Sequence, residues 1–299
     1  MKQFEGSVAV ITGGASGLGL AMAREAQKRG CKLVIADIRD NALETADAEL
    51  SKAGEVLTVK CDVSKASDLS GLADAAIERF GKVNLLFNNA GIFASGITWE
   101  VSEEEYDWVI GVNQRSVFNG IRSFVPKMIQ QGDPCHVVTI ASGAGITVNP
   151  GFCTYSMTKH AVVALTEALY LDLKAQAIDN IGVTIAMPGM TQSGIMSPEK
   201  TTPGELQTEV GNRKSNNVLK ALETLMTMGV ADGFKAEDLA TMVFDAIAAG
   251  DLYVLPAFDD EDNRALASAV GLGRATGVNP YPEVVEGFLA TLKEIENAG

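Results

Sequence analysis

A short apolar strand running straight into a glycine-rich turn and a helix restricts this chain more than any other feature. Residues 7–12 read Ser-Val-Ala-Val-Ile-Thr, a β-branched apolar run of the kind found in strands buried on both faces. Gly13-Gly-Ala-Ser-Gly17-Leu-Gly19 follows, and then an alanine-rich segment, Leu20 to Arg29, that closes at Gly30. Its composition predicts a helix with a glycine stop. Glycines let a backbone come close to a bulky anion. The unpaired N–H groups and the dipole of a first helical turn favour negative charge there.

A second strand, Lys32 to Ala36, ends on Asp37, 20 residues after Gly17. In open parallel sheets an acid at this place binds the adenosine ribose hydroxyls of a dinucleotide. Its charge repels a 2′-phosphate, so NAD is expected ahead of NADP. Arg39 carries the opposite charge close by and is able to swing toward such a phosphate. Asp37 also suits the N-cap of the next helix. The glycine spacing, Thr-Gly-x-x-x-Gly-x-Gly, differs from the general G-x-G-x-x-G fingerprint.

The remaining pattern alternates regularly. A helix is expected over 41–53, a strand over 55–61, a helix over 65–80 and a strand over 82–87. Asp62 follows the third strand, at the sheet edge where ligands gather, and is placed to meet an adenine. Asn88-Asn89-Ala90-Gly91 ends the fourth strand; its amides serve equally to hold a loop against a cofactor or to build a turn. A helix opens at Glu103, reaches Val112-Asn113 and resumes through Val125, with Pro126 near its last turns. Asparagine competes for backbone hydrogen bonds inside a helix, and a break at Asn113 would turn it toward the cofactor. A strand over 136–140, a long helix from Tyr155 to about 177 and a strand over 181–186 complete six strands. That alternation predicts βαβ units and a parallel sheet.

Beyond Ser193 the pattern loosens. Ile195 to Asn217 reads as a mobile loop, Val218 to Met228 and Lys235 to Ala249 as helices, and Leu252 to Leu255 as a last strand. Asp259 onward is acidic and helical, Gly271 to Asn279 a glycine-containing linker, and Tyr281 to Glu296 an amphipathic helix. The expectation is one α/β domain over 1–299. It has a doubly wound parallel sheet of about seven strands, helices on both faces, a substrate loop or lid at 190–230 and a helical C-terminal extension at 258–299.

The net charge of −14 argues against a phosphate-backbone partner such as nucleic acid and suits small-molecule partners. No apolar run reaches the roughly 18 residues of a membrane helix. The N-terminal Met-Lys-Gln-Phe-Glu-Gly has no signal-peptide apolar region. Cys31, Cys61, Cys135 and Cys153 are scattered without metal-ligand spacing, and His136 and His160 do not extend them into a site. Reduced cytoplasmic thiols and no metal are expected.

The chemistry concentrates in Ile140 to Lys159. Lys159 lies four residues after Tyr155, one turn on along the same helix face. A phenol with an ordinary pKa near 10 ionises poorly at neutral pH, and a nearby cation favours its phenolate. Ser142, 13 residues before Tyr155, is able to orient an oxygen that gains or loses the proton. Taken alone, the same spacing also fits a routine surface helix.

In this order, Thr12 to Gly19, Asp37, Asp62-Val63, Asn88 to Gly91, Asn113, Ser142, Tyr155-x-x-x-Lys159 and Pro188-Gly189 resemble the classical short-chain dehydrogenase/reductases. The resemblance covers roughly residues 5–195. It implies a Rossmann-type fold and NAD as cofactor. It implies Tyr155 as general acid/base, with Lys159 holding the nicotinamide ribose and lowering the Tyr155 pKa. Ser142 then bonds the substrate oxygen, and Asn113 keeps a helix break and anchors a water in a relay with Lys159. The implied cofactor set is Gly13, Ser16, Gly17, Leu18, Gly19, Asp37, Ile38, Asp62, Val63, Asn89, Ala90, Gly91, Tyr155, Lys159, Pro188, Gly189 and Thr191. Ser193 stands where the family often has threonine, and Thr191 is a candidate to share its contact. Pairing through the helices of Asn113 and Tyr155 into a homodimer or homotetramer is implied as well.

The implied activity is interconversion of a secondary alcohol and a ketone. A weaker likeness, in Ser123 to Met128 and around Tyr253-Val-Leu, is to bacterial dehydrogenases that oxidise the benzylic alcohol of lignin-derived aryl ethers. Candidate substrate contacts are Phe93, Phe152 and Met190 beside Ser142 and Tyr155, then Ile146, Val148, Ile195, Met196 and Met226 or Met228. Ordinary lid packing would use the same residues. Alternatives are an NADP-preferring carbonyl reductase, a steroid-type dehydrogenase, a lyase or epimerase using the cofactor transiently, and a non-catalytic nucleotide-binding scaffold. His160 is expected to be a satisfied helix residue.

Overall fold

The computed structural model describes residues 1–196 and 217–298. Among them, seven strands form one sheet: β1 (Val8–Thr12), β2 (Lys32–Asp37), β3 (Val56–Lys60), β4 (Leu85–Asn88), β5 (Cys135–Ile140), β6 (Ile181–Ala186) and β7 (Tyr253–Val254). Their order is β3-β2-β1-β4-β5-β6-β7, and every neighbouring pair is parallel. β1 lies between β2 and β4, with Ile11 beside Ile35 on one side and Phe87 on the other. The order reverses there, and such a switch point opens a crevice at the carboxyl ends of the strands.

The helices are α1 (Gly17–Lys28), α2 (Asp40–Leu50), α3 (Ala66–Phe80), α4 (Glu103–Ile110), α5 (Ser116–Gln131), α6 (Cys153–Ala175), α7 (Asn217–Ala231), α8 (Ala236–Ala249), α9 (Glu261–Thr276) and α10 (Pro282–Ala298). Side chains alternate across the sheet with the period of two that a strand imposes. Ala9, Ile11 and Phe87 face α1 and α8, where Phe244 packs its ring 5.4 Å from that of Phe87. Val8, Val10 and Leu86 face α3, α5 and α6. Both faces are covered, so nearly every strand position is apolar.

Three expectations change. Residues 271–276 belong to α9, not to a linker. Gly273 is helical, and a side chain there would strike the carbonyl of Val278 and the ring of Pro280. Its role is to let the following chain fold back onto the helix. The stop is Gly277, at a left-handed φ of 80°, where glycine carries no steric penalty. The break expected at Asn113 is a widened turn, a π-helical segment at Gly111–Arg115, through which α4 and α5 run on continuously. Of the loop expected at Ile195 to Asn217, Gly194–Met196 is a short 3₁₀ turn, and 197–216 lie outside the described residues.

Candidate active site

The predicted site residues gather along one edge of the sheet. Gly13, Asp37, Asp62, Asn89, Ser142 and Pro188 stand at or just past the carboxyl ends of β1, β2, β3, β4, β5 and β6. The parallel register carries residues far apart in sequence to a common crevice.

At the first of these ends the backbone is crowded. A side chain at Gly13 would meet the Cα of Ala90 at 3.0 Å, and one at Gly19 would strike the Gly13 carbonyl. Gly17 has a φ of 50°, and a Cβ there would come within 3.4 Å of the Ser193 Cβ. The segment after β6 therefore reaches across to the glycine turn. Asn89 fastens the turn after β4 to the glycine turn. Its Nδ2 donates to the carbonyls of Thr12 (2.8 Å) and Gly13 (3.2 Å). The Thr12 hydroxyl accepts from the N–H groups of Asn89 and Ala90 at 3.0 and 3.1 Å. Thr12 opens the glycine motif, yet its chain position gives no sign of this bracing.

Asp37 is buried, and Arg39 folds back on it. The guanidinium Nε lies 3.1 Å from Oδ1, and Nη2 lies 3.2 Å from Oδ2 and donates to Ser16 Oγ at 2.7 Å. Ser16 and Asp37 were predicted separately; Arg39 ties them together. Leu18 is half-buried, packed against the α1 core, whereas Ile38 is exposed. Beyond β3, burial pushes the Asp62 carboxyl up, but bonds from Ser64 and Lys65 outweigh it and hold it below its ordinary value. Asp62 thus shapes its own turn, beside the buried Val63.

The centre of the site is on α6. Tyr155 and Lys159 are both buried, and Ser142 stands close enough to the Tyr155 phenol to favour its ionised form. Lys159 Nζ lies 5.6 Å from the phenol ring centroid and donates to the Ile140 carbonyl at 3.0 Å. Burial alone pushes its ammonium down to about 8. The expected lowering of the Tyr155 pKa by Lys159 is absent from the protein itself. Burial raises the phenol, and Ser142 offsets only part of that rise. Desolvation penalises the charged form of both groups.

Asn113 sits close by. Its Oδ1 accepts from Ile92 N–H at 2.8 Å, and its Nδ2 donates to the Ile92 carbonyl at 2.9 Å and to Thr158 Oγ1 at 3.3 Å. The side chain therefore grips the chain after Gly91, and both of its N–H protons are used. A Cβ at Gly91 would lie 3.5 Å from Asn113 Oδ1 and 3.6 Å from Lys159 Nζ. The bare backbone of Gly91 thus passes close to both side chains.

An aromatic group surrounds Tyr155. Phe93 stands edge-on to Phe152 at 5.0 Å and to Tyr155 at 5.1 Å between ring centroids. Ile195, Met196 and Met226 pack against the group. Other candidates fall elsewhere. Ile146 packs under α6 with Val117 and Val162, Met228 is exposed, and Met190, 40% exposed, lies over Gly229. Leu219 and Leu222 of α7 and Phe288 of α10 join the aromatic group, which no local signal announced. Glu223 accepts from Ser95 Oγ at 3.1 Å, clipping α7 to the loop after β4. His160 Nδ1 donates to the carbonyl of Ser156 at 2.9 Å, which leaves Nε2 as the acceptor, as expected of a satisfied helix residue. Among the described residues no cluster of metal-ligating side chains occurs and no helix is long and apolar enough to cross a membrane.

Comparison with known proteins agrees with this geometry. A dehydrogenase/reductase of CLA biosynthesis from Lactiplantibacillus plantarum is 32% identical over 256 residues, 85% of this chain and 89% of that protein. The C alpha-dehydrogenase of Sphingobium sp. SYK-6 is 32% identical over 258 residues, 86% of this chain and 82% of its own. A crystal structure of a short-chain dehydrogenase/reductase from Burkholderia phymatum in complex with NAD superposes with a TM-score of 0.86 at 38% identity, covering 94% of this chain and 98% of that one. The family model for short chain dehydrogenases matches residues 7–204. With the Tyr155–Lys159 pair, Ser142 and the glycine turn on one sheet edge, this chain belongs to the short-chain dehydrogenase family of oxidoreductases.

Proposed function

We propose that this protein is an NAD-dependent dehydrogenase that interconverts a secondary alcohol and its ketone, with Tyr155 as the general acid/base. The observation that carries this reading is the buried Tyr155 phenol beside Ser142, with Lys159 one turn on. A bound nicotinamide supplies the carbon that takes or gives the hydride. In oxidation Tyr155 Oη takes the alcohol proton, and in reduction it returns it to the developing alkoxide. Ser142 Oγ holds the substrate oxygen in line with Tyr155. Lys159 Nζ, facing the bare backbone of Gly91, binds ribose hydroxyls and favours the phenolate as the site fills. Asn113 keeps the Ile92 segment in place.

The glycine turn fits a pyrophosphate, and Asp37 fits ribose hydroxyls once Arg39 swings aside. Gly13, Ser16, Gly17, Leu18, Gly19, Ile38, Asp62, Val63, Asn89, Ala90, Pro188, Gly189 and Thr191 complete the proposed cofactor set. The Burkholderia structure in complex with NAD supports that cofactor. Phe93 and Phe152 beside Tyr155 suit a bulky apolar or aromatic alcohol, and the Sphingobium relative, a C alpha-dehydrogenase, supports an aryl carbinol. We assign residues 190–196 and 217–230 to the substrate lid; the rest of the expected range, 197–216, lies outside the described residues. Exposed Tyr106, Phe118, Met157 and Leu171 on α4, α5 and α6 support pairing into a homo-oligomer, and the composition supports a cytoplasmic setting.

The test is NADH formation from NAD with a panel of aryl, steroid and alkyl secondary alcohols. Turnover of aryl carbinols supports the reading; net conversion of none of them overturns it.

A further inference from the structure

The C-terminal extension touches the catalytic layer at three separate places. Ala257, at its root, donates its N–H to Met187 O at 3.2 Å. It also lies where a Cβ on Gly143 or on Gly189 would meet it, at 2.9 and 3.2 Å. It is therefore wedged between the segment after Ser142 and the one after Pro188. Arg264 at the start of α9 donates to the carbonyls of Phe258 and Asp259 at 3.1 and 2.8 Å, fixing the angle at which the helix leaves. At the far end of α9, Arg274 reaches His160 Nε2 at 3.1 Å, next in sequence to Lys159. The chain then turns at Gly277 and folds back, and α10 packs on α7. This return brings Phe288 against the apolar cluster in which Leu219 and Leu222 of α7 meet Phe93, Phe152 and Tyr155.

We infer that Phe288 is a specificity-determining residue, the outer wall of the pocket in which Tyr155 meets its substrate. The inference rests on the proposed alcohol–ketone reading of Tyr155. Phe288 is only partly buried, whereas Phe93 and Phe152 are 8% and 6% exposed. The two inner rings are committed to holding Tyr155 edge-on. A partly open ring is free to stack against a ligand, and an aromatic substrate face gains more from such a ring than an alkyl chain does. Phe288 acts by shape and apolar surface; it takes no part in proton transfer.

The experiment compares wild type, Phe288→Ala and, as a neighbouring control, Leu289→Ala, whose side chain is exposed. Each is assayed with NAD and either 1-phenylethanol or 2-butanol. Binding of acetophenone to the NADH-loaded proteins is measured by calorimetry, and melting temperatures establish that the variants are folded. Phe288→Ala is expected to raise KM for 1-phenylethanol about tenfold and to weaken acetophenone to a similar degree. The 2-butanol constants should stay within about twofold, and Leu289→Ala should change neither. An unchanged aryl-to-alkyl preference with intact turnover overturns the role of Phe288 and leaves the catalytic reading standing. If wild type oxidises neither alcohol, the full alcohol panel decides the catalytic reading, and the role of Phe288 is decided by calorimetry alone. Weaker acetophenone binding in Phe288→Ala then upholds it, and equal or undetectable binding overturns it. If Phe288→Ala does not fold, Phe288→Leu, which keeps the bulk and loses the flat face, takes its place under the same outcomes.

Discussion

Asn113 holds Ile92 by two opposed hydrogen bonds, accepting from its N–H at 2.8 Å and donating to its carbonyl at 2.9 Å. Ile92 is buried, so both of its main-chain groups depend on that amide. Asn113→Ala strips them at once, and each buried orphan costs about 1–3 kcal/mol. The Gly91 segment, which faces Lys159, should also shift. A lower melting temperature and a fall of about a hundredfold in kcat/KM are expected. Wild-type values for both in Asn113→Ala would contradict this bracing.

Tyr155→Phe should remove turnover by about a hundredfold to ten-thousandfold while NAD affinity, measured by calorimetry, stays near wild type. Turnover at a similar rate would refute the assigned role. Because burial lifts the phenol above its ordinary value, its base form is scarce at neutral pH and grows as pH rises. Alcohol oxidation should therefore speed up toward alkaline pH, and ketone reduction should slow. A pH-rate profile taken in both directions reads this, and parallel profiles would count against Tyr155 as the shared acid and base.

Arg39 occupies both carboxylate oxygens of Asp37, the atoms that a cofactor ribose would need. Arg39→Ala frees them. NAD should bind several-fold more tightly, on the order of the 1 kcal/mol such a partly exposed pair contributes, and NADP should bind more weakly. Asp37→Ala should weaken NAD and narrow the gap to NADP. Titration of all three proteins with both cofactors measures the balance. Looser NAD binding by Arg39→Ala would mean that Arg39 assists the ribose.

His136 on β5 couples stability to pH. It is buried, its Nε2 pairs with Thr184 Oγ1 at 2.8 Å, and the Thr184 hydroxyl in turn donates to Asp251 O at 2.7 Å. Nδ1 has no partner. Burial depresses the imidazole to about 3, from 6.5 when unfolded. The unfolded chain therefore binds more protons between those values. The contribution of neutral His136 is fully present above pH 6.5 and is lost as pH falls toward 3, at roughly 1.4 kcal/mol per pH unit. His136→Gln should flatten the acid limb of a urea-midpoint profile between pH 7 and pH 4. An equally steep limb in the variant would assign that slope to other groups.

The alternating apolar runs and punctuating glycines announced the parallel sheet, because both depend on local periodicity and on backbone freedom that neighbouring residues set. The spacing from Tyr155 to Lys159 likewise specified one helix face, since a helix fixes geometry across four residues. Three features depended on tertiary contact and left no local mark. The first is the partner of Asn113: Ile92 lies 21 residues away, and only the packing of α4 and α5 against the β4 edge joins them. The second is the pKa of Tyr155, which a neighbouring lysine was expected to lower and which burial raises instead, because desolvation is a property of the whole enclosure. The third is the path of the extension. Gly271 to Asn279 reads like a linker in sequence, but α9 continues through residues 271–276, and the turn beyond returns Phe288 to the cluster around Tyr155. By itself the sequence determined the sheet, the glycine turn and the Tyr155–Lys159 pair. Only the folded chain decided how deeply that pair is buried, what braces it and which side chains surround Tyr155, because burial and long-range packing are not properties of any one segment.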